Sequence, residues 1–356
     1  SRSPHETPDK KPFHTSAIPS ITPEAKLRFR GDAHKCALLF LSPFLYNESI
    51  ETRALAYACR ITRASVLKHR LSRASFMHNE AHGFKKTGDH MEQMPTFEYL
   101  SIEKNEGAFI ITLDRPEARN AINSAMWAEL CDAFELFDDD DEAKVAILTN
   151  TGKVFCAGAD LKEYNEKTLH PPKGRETWGT GAMTRKLWKK PIILAANGKV
   201  VGGGAEMLLA ADLAILTDDG MVAFPEAKSG LFPGNGGAPL RIGRSIHLKH
   251  AMELLLTGAP IDAATAVQWG LANRAVPEAE LMDAALSLAK AIMANGPYAL
   301  NLIKQAVYDS MDKSFLAESD GWRMMDMYQE LAANSEDAAE GTTAFREKRA
   351  PQWKGR

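Results

Sequence analysis

Two turns in this chain leave backbone uncovered where chemistry could use it. The first is Gly202-Gly203-Gly204, which follows an apolar run and leads at once into Ala205 and Glu206. Three glycines put no side chain over their own N–H groups. Residues 207–211 are apolar and read as a helix, so those N–H groups stand at the positive end of its dipole. Such a turn can hold a developing negative charge, with the Glu206 carboxylate beside it. A tight strand-to-helix turn between closely packed backbones accounts for the same glycines. The second turn is Cys156-Ala157-Gly158-Ala159, with Asp160 placed to cap the helix that follows. Two turns of this kind can each offer one N–H to a single oxygen, which is the arrangement of an oxyanion hole. A further carboxylate, Glu226, sits on a turn just before the glycine-dense stretch 230–237.

The surrounding sequence supplies elements to position these turns. Residues 97–103 and 107–113 read as two strands around a turn at 104–107. A loop covers 114–121, and Asn123 or Ser124 then caps a helix with Met126, Leu130, Phe134 and Phe137 at helical spacing. Residues 143–149 are β-branched and apolar, so they read as a buried strand. The polar stretch 166–178 reads as a mobile surface loop, and 183–188 as a short helix before a strand that starts at Pro191. Residues 212–217 form another strand. The last third reads as helices over 246–256, 262–269, 278–294, 297–309 and 315–333, with Gly258 and Gly270 as stops. Strands alternating with helices predict an α/β architecture.

Composition excludes several classes. With 45% hydrophobic and 25% charged residues, the chain falls among soluble globular proteins. A net charge of −3 gives no general attraction to nucleic acid or anionic membrane. The apolar run 37–46 is broken by Pro43 and is too short to span a bilayer. Cys36, Cys59, Cys131 and Cys156 show no metal-ligand spacing, and His170, His247 and His250 add none, so no metal is expected. Cys156 has no histidine near it in sequence and reads as filler rather than a nucleophile. No Gly-x-Gly-x-x-Gly stands in a dinucleotide-binding context, so neither NAD nor FAD is expected. The charge is uneven: residues 1–95 hold 15 Lys/Arg against 9 Asp/Glu, and seven of the ten histidines. This stretch reads as a separate basic extension. A targeting segment, an incidental arm and a weak nucleic-acid or membrane contact all fit it.

From about Phe97 to Arg356 the chain resembles the enoyl-CoA hydratase/isomerase, or crotonase, superfamily. The motifs that carry the resemblance are Leu113-Asp114-Arg115-Pro116 with Asn120-Ala121-Ile122-Asn123, Phe155 to Glu163, Lys190-Pro191 through Asn197-Gly198 to Glu206, Phe224 to Lys228, and Pro233 to Gly237. The tail 344–356 is most similar to that of carnitinyl-CoA dehydratases. Each motif alone is weak; five in order over about 260 residues are specific.

The resemblance implies a spiral of ββα units over 96–290 and a helical trimerisation region over 291–356. It implies a homotrimer, commonly paired as a hexamer, and an acyl-CoA thioester substrate, so that coenzyme A arrives with the substrate and no separate cofactor is needed. It assigns the two oxyanion N–H groups to Ala157 and Gly203 and the acid/base pair to Glu206 and Glu226. It places Ala118 and Ala159 along the CoA path through backbone contacts. Arg119 is the candidate to meet the CoA phosphates in place of Glu117, and Asp160 is counted with this binding loop as well as a cap. Phe345 and Lys348 are expected to approach the CoA and acyl group of a neighbouring subunit. Asn235 could narrow the acyl pocket or hydrogen-bond a polar acyl group. The expected activity is hydration of 2-enoyl-CoA thioesters or the reverse dehydration. Double-bond isomerisation and an RNA-binding role for the basic arm remain open, with nucleic acid the less expected partner. The expected compartment is the cytoplasm, or the mitochondrial matrix if the arm is a transit segment.

Overall fold

The computed structural model describes residues 95–314, 316 and 319–356. The readings made of the basic arm lie outside the described residues. The first two strands form the expected hairpin. Leu100–Asn105 (β1) pairs antiparallel with Ala108–Leu113 (β2), and the Glu106-Gly107 turn takes φ of 47° and 93°. Positive φ at both central residues matches the twist of the flanking strands. The helix Ser124–Asp139 (α1) follows, with the Asn123 side chain accepting from the Met126 N–H at 2.8 Å.

From there the chain repeats one unit of two strands and a helix. The first repeat is Val145–Asn150 (β3), Val154–Cys156 (β4) and Leu161–Glu166 (α2). Next come Ile192–Ala196 (β5), Lys199–Val201 (β6) and Gly203–Ala210 (α3), and then Leu213–Thr217 (β7), Met221–Ala223 (β8) and Ala238–Ser245 (α4). The first strand of each repeat joins one sheet and the second joins another. With Ile261–Asp262 (β9) and Arg274–Val276 (β10), the sheet orders are β1-β2-β3-β5-β7-β10 and β4-β6-β8-β9. This is the expected spiral of ββα units, an α/β fold.

The large sheet is covered on both faces, which explains its unbroken apolar strands. In β2, Phe109, Ile111 and Leu113 face the core shared with α1, while Ala108 and Ile110 face Leu281, Ala285 and Ala289 of helix Leu281–Met293 (α7). Successive residues of a strand point to opposite faces, so both periods had to be apolar. Helices Leu248–Thr257 (α5) and Ala263–Trp269 (α6) end on Gly258 and Gly270, both left-handed at φ 59° and 92°. Glycine meets no Cβ penalty there.

The chain closes with Pro297–Ser310 (α8), Asp320–Ala333 (α9) and Glu336–Glu347 (α10). A buried ion pair ties α8 to the large sheet. Lys304 Nζ lies 2.7 Å from Asp212 Oδ2 and donates to the Lys190 carbonyl at 2.8 Å. Asp212 also accepts from the Ile192 N–H at 2.8 Å and the Tyr308 hydroxyl at 3.2 Å.

One expected element is absent. Residues 183–188 form no helix; a 3₁₀ turn, Thr180–Ala182, leads into irregular chain. Side-chain contacts hold the segment out of a helix. The Trp188 indole donates to the Ala182 carbonyl at 2.9 Å, and the Lys186 ammonium sits 3.5 Å and 3.6 Å from the Trp178 and Trp188 ring centres. The loop before it is tethered, since Arg175 pairs with Asp132 and Glu135 of α1.

Candidate active site

Strands β4, β6 and β8 are adjacent and parallel in the small sheet. Their carboxyl ends therefore lie side by side, where α/β sheets present functional groups. From β4 runs the turn 157–160, from β6 the glycine turn with Glu206, and from β8 the 3₁₀ turn Pro225–Ser229 with Glu226. Pieces separated by up to about seventy residues in sequence thus meet at one edge.

The glycines are explained by contact. Gly158 has φ of +91°, and a Cβ on it would stand 2.9 Å from the Gly203 nitrogen. A Cβ on Gly203 would lie 3.3 Å from the Gly158 Cα and 3.7 Å from the Ala159 nitrogen. A Cβ on Gly204 would strike the Cys156 carbonyl at 2.6 Å. The two turns therefore pack backbone against backbone. Gly203 opens α3, so its N–H has no acceptor in the helix.

The expected donor on the other turn needs correcting. The Ala157 N–H donates to the Arg119 carbonyl at 3.1 Å and is not free to meet an oxyanion. Ala159 lies in a single parallel bridge with Ile122, made by Ile122 N–H to the Gly158 carbonyl and Asp160 N–H to the Ile122 carbonyl. That pattern uses neither polar group of Ala159. Among the described residues the Ala159 and Gly203 N–H groups have no acceptor, and they belong to turns in direct contact.

Both carboxyls border the glycine turn, in different surroundings. Glu206 is buried, at 3% exposure. It accepts from the Gly236 N–H at 2.9 Å and the Ala238 N–H at 3.3 Å. Burial pushes its pKa above the ordinary carboxylate value, and these donors and Arg185 oppose the rise. Glu226 has no such set. Its Oε1 lies 3.4 Å from where a Cβ on Gly202 would stand, and its Oε2 is buried without a hydrogen-bond partner. Burial raises the Glu226 pKa, and the negative charge of Glu206 raises it further. Two carboxyls so coupled do not both ionise freely.

The enoyl-CoA hydratase/isomerase family model matches residues 103–356. The chain belongs to the enoyl-CoA hydratase/isomerase family. A carnitinyl-CoA dehydratase from Proteus mirabilis is 40% identical over 252 residues, covering 69% of this chain and 94% of that protein. The crystal structure of an enoyl-CoA hydratase from Mycobacterium tuberculosis superposes with a TM-score of 0.66 at 36% identity, over 72% of this chain and 99% of that one. A carnitinyl-CoA hydratase from Mycobacterium avium gives a TM-score of 0.58 at 40% identity, over 73% and 100%. At family level the chain is an enzyme of hydratase or dehydratase type.

Within that family frame the remaining predicted residues fall into two groups. Near the donor turn, Ala118 ends the 3₁₀ turn Pro116–Ala118, and Arg119 is exposed and left-handed at φ 55°. Among the described residues the Arg119 guanidinium has no ion pair. Asp160 caps α2 through the Lys162 N–H at 3.0 Å and is paired with Arg115 at 2.8 Å, so its carboxylate is engaged in structure. That pair and desolvation act oppositely, and the Asp160 pKa is lowered overall. Far from the donor turn in sequence, Phe345 is 87% exposed and Lys348 caps α10 at the surface. Neither packs into its own chain's interior.

Cys156 is fully buried, and burial pushes its thiol up to about 12, which makes it filler. Among the described residues no group of three or more His, Cys, Asp or Glu is placed to hold a metal. Nor is any helix long and apolar enough to cross a membrane.

Two residues of structural weight had drawn no separate notice in the sequence. Asn120, fully buried at φ 52°, accepts from the Arg115 N–H at 2.7 Å and donates to the Val154 carbonyl at 2.8 Å. It stitches the 115–122 loop to β4. Thr180 lies against Gly203, with its Cγ2 3.0 Å from the position of a Cβ there, and receives the Asn235 amide at 3.2 Å. Thr180 takes one N–H of the Asn235 amide, which retains a second N–H and its oxygen.

Proposed function

We propose that the protein hydrates 2-enoyl-CoA thioesters, or dehydrates 3-hydroxyacyl-CoA in reverse, with Glu206 and Glu226 as the acid/base pair. The observation that carries this is an unequal pair of carboxyls bordering the glycine turn, where two N–H groups stand without an acceptor among the described residues. In the forward direction water loses a proton to the Glu206 carboxylate while its oxygen bonds to C3. The C2–C3 π electrons move toward the thioester, whose oxygen becomes negative. The Ala159 and Gly203 N–H groups meet that oxygen, and one such donor is worth about 3–4 kcal/mol of barrier. Protonated Glu226 then gives its proton to C2. Its buried, unpartnered oxygen and the neighbouring charge favour its neutral form, whereas the donors around Glu206 favour its ionised form. The water's proton and the C2 proton balance, and exchange with solvent resets the pair.

Coenzyme A enters as part of the substrate. The free Arg119 guanidinium suits its phosphates, and the backbone of Ala118 and Ala159 borders the path to the donors. Phe345 and Lys348, exposed on one subunit, would complete a neighbour's site in a homotrimer or hexamer. The relatives named for carnitinyl-CoA make that thioester the first to assay beside crotonyl-CoA.

The deciding experiment measures turnover of wild type, Glu206→Gln and Glu226→Gln on these two thioesters. Each substitution should lower kcat by roughly 10²–10⁴-fold. Near-normal turnover in both variants refutes the hydratase reading. Loss in one variant alone points to isomerisation, which can run on a single carboxylate.

A further inference from the structure

We infer that Arg185 is a positioning residue for Glu206, acting through the peptide that joins Asn235 to Gly236. The inference rests on the proposed hydration and deepens it. Both polar groups of that peptide are engaged. Its carbonyl accepts from Arg185 Nε at 2.7 Å, and its N–H donates to Glu206 Oε2 at 2.9 Å. A peptide group is planar, so fixing the oxygen fixes the direction of the N–H. A cation on the carbonyl also polarises the group and strengthens its N–H as a donor. A guanidinium at the surface thereby acts on a carboxylate that is buried.

The surroundings fix this peptide from several sides. Gly236 is buried, and a Cβ on it would lie 2.4 Å from both the Cβ and the Oε2 of Glu206, so the carboxyl rests against bare backbone. Arg185 holds the loop at a second point, its Nη2 donating to the Gly234 carbonyl at 3.0 Å. A guanidinium presents such N–H groups in a rigid fork, which an ammonium cannot copy. The Asn235 side chain adds a tether to Thr180 Oγ1 at 3.2 Å. Arg185 is held in turn by its own main chain. Its N–H donates to the Trp178 carbonyl at 3.0 Å, and the Thr184 carbonyl of the same peptide accepts from Arg241 of α4 at 2.7 Å. Among the described residues no carboxylate pairs with the Arg185 guanidinium; its bonds go to the loop. Its charge favours the ionised form of Glu206 as well, and that of Glu226 opposes it.

The test compares wild type, Arg185→Met and Arg185→Lys on crotonyl-CoA, each alone and combined with Glu206→Gln. Methionine keeps the apolar stem and removes the fork, whereas lysine keeps the charge and reaches one carbonyl at most. Arg185→Met should lower kcat roughly tenfold, about the worth of one hydrogen bond, with KM changed less than about twofold. Arg185→Lys should recover part of the loss. With Glu206→Gln already present, Arg185→Met should add less than about a further twofold, because the carboxylate it positions is gone. An equal loss in both backgrounds makes Arg185 merely structural and overturns the inference, as does wild-type kcat in Arg185→Met. A second readout needs no turnover. The chain has three Asn-Gly pairs, at 197–198, 235–236 and 295–296, so ¹³C in asparagine carbonyls and ¹⁵N in glycine give three amide correlations, and the one lost in Asn235→Ala marks this peptide. In Arg185→Met its carbonyl carbon and amide proton should both move upfield, as weakened hydrogen bonds do, and in Arg185→Lys by less. Resonances that stay in place overturn the inference whatever the kinetics. If Arg185→Met does not fold, the Arg185→Lys resonances decide alone. A wild type inert toward crotonyl-CoA and carnitinyl-CoA sinks the proposed reaction instead, and the resonances still show whether Arg185 sets this peptide.

Discussion

At the scale of residues, the site works by giving two like groups unlike surroundings. Glu206 has two backbone donors, whereas one oxygen of Glu226 is buried without a partner. Leaving a buried acceptor unpaired costs stability, and active sites are where such costs are kept. This gives a pH-dependent expectation. The folded-state pKa of Glu226 is raised, so the folded protein holds its proton more tightly than the unfolded chain does. Stability therefore falls as pH rises from the ordinary carboxylate value of 4.5 to the folded value. Glu226→Gln removes that loss. Thermal unfolding should show a higher Tm for the variant than for wild type at pH 8 and no gain at pH 4. A gain of equal size at both pH values would assign the effect to packing.

The two glutamates and Gly203 were legible as candidates, because carboxylates beside glycine turns have few other uses in combination. Which N–H of the other turn stands without an acceptor was not. Cys156-Ala157-Gly158-Ala159 offers an alanine on each side of its glycine, and only the pairing with Arg119 and Ile122 shows which N–H is occupied.

At the scale of elements, legibility followed how local the determinants are. The β1–β2 hairpin, α1 with its Asn123 cap, and the glycine stops of α5 and α6 rest on neighbouring residues, and all stood out in the sequence. The 180–188 segment did not, because distant partners hold it: Trp188 stacks on Phe134 of α1, the Thr184 carbonyl accepts from Arg241, and Arg185 donates to the Asn235 and Gly234 carbonyls. Which strands share a sheet was also hidden, since the repeats deal alternate strands to different sheets.

Lys304 is another long-range determinant. In sequence it is one lysine on a helix; in the structure it is buried against Asp212 and the Lys190 carbonyl. Burial lowers its pKa while Asp212 opposes the fall. Lys304→Ala leaves Asp212 with a buried charge lacking its cation, which costs about 3–5 kcal/mol. Urea unfolding should show the midpoint dropping accordingly. A change below about 1 kcal/mol would mean that solvent already reaches the pair.

At the scale of the whole molecule, a broad groove lies away from the glutamates. The groove, of ≈ 1040 Å³, lies between α4 and α8, lined by Leu240, Arg241, Ile303, Val307 and Met311 among others, and contains neither glutamate. Ile303, Val307 and Met311 recur every four residues, so they form one stripe, and each is more than half exposed at 60%, 54% and 51%. Leu240 across the groove is 65% exposed. Burial of such a stripe is worth about 25 cal/mol per Å² of apolar surface, and a lone subunit forgoes it. Assembly of like subunits would recover it and would also give the exposed Phe345 a site to complete. The two ideas make a joint prediction. Val307→Glu, a charge at the centre of the stripe and remote from the acid/base pair, should lower the oligomeric state by light scattering. If Phe345 and Lys348 serve a neighbour's site, kcat/KM should fall in the same variant, and raising the protein concentration should restore part of it. An intact oligomer with normal kinetics would place the subunit contact elsewhere. A monomer with full activity would show that each chain's site is complete without its neighbour.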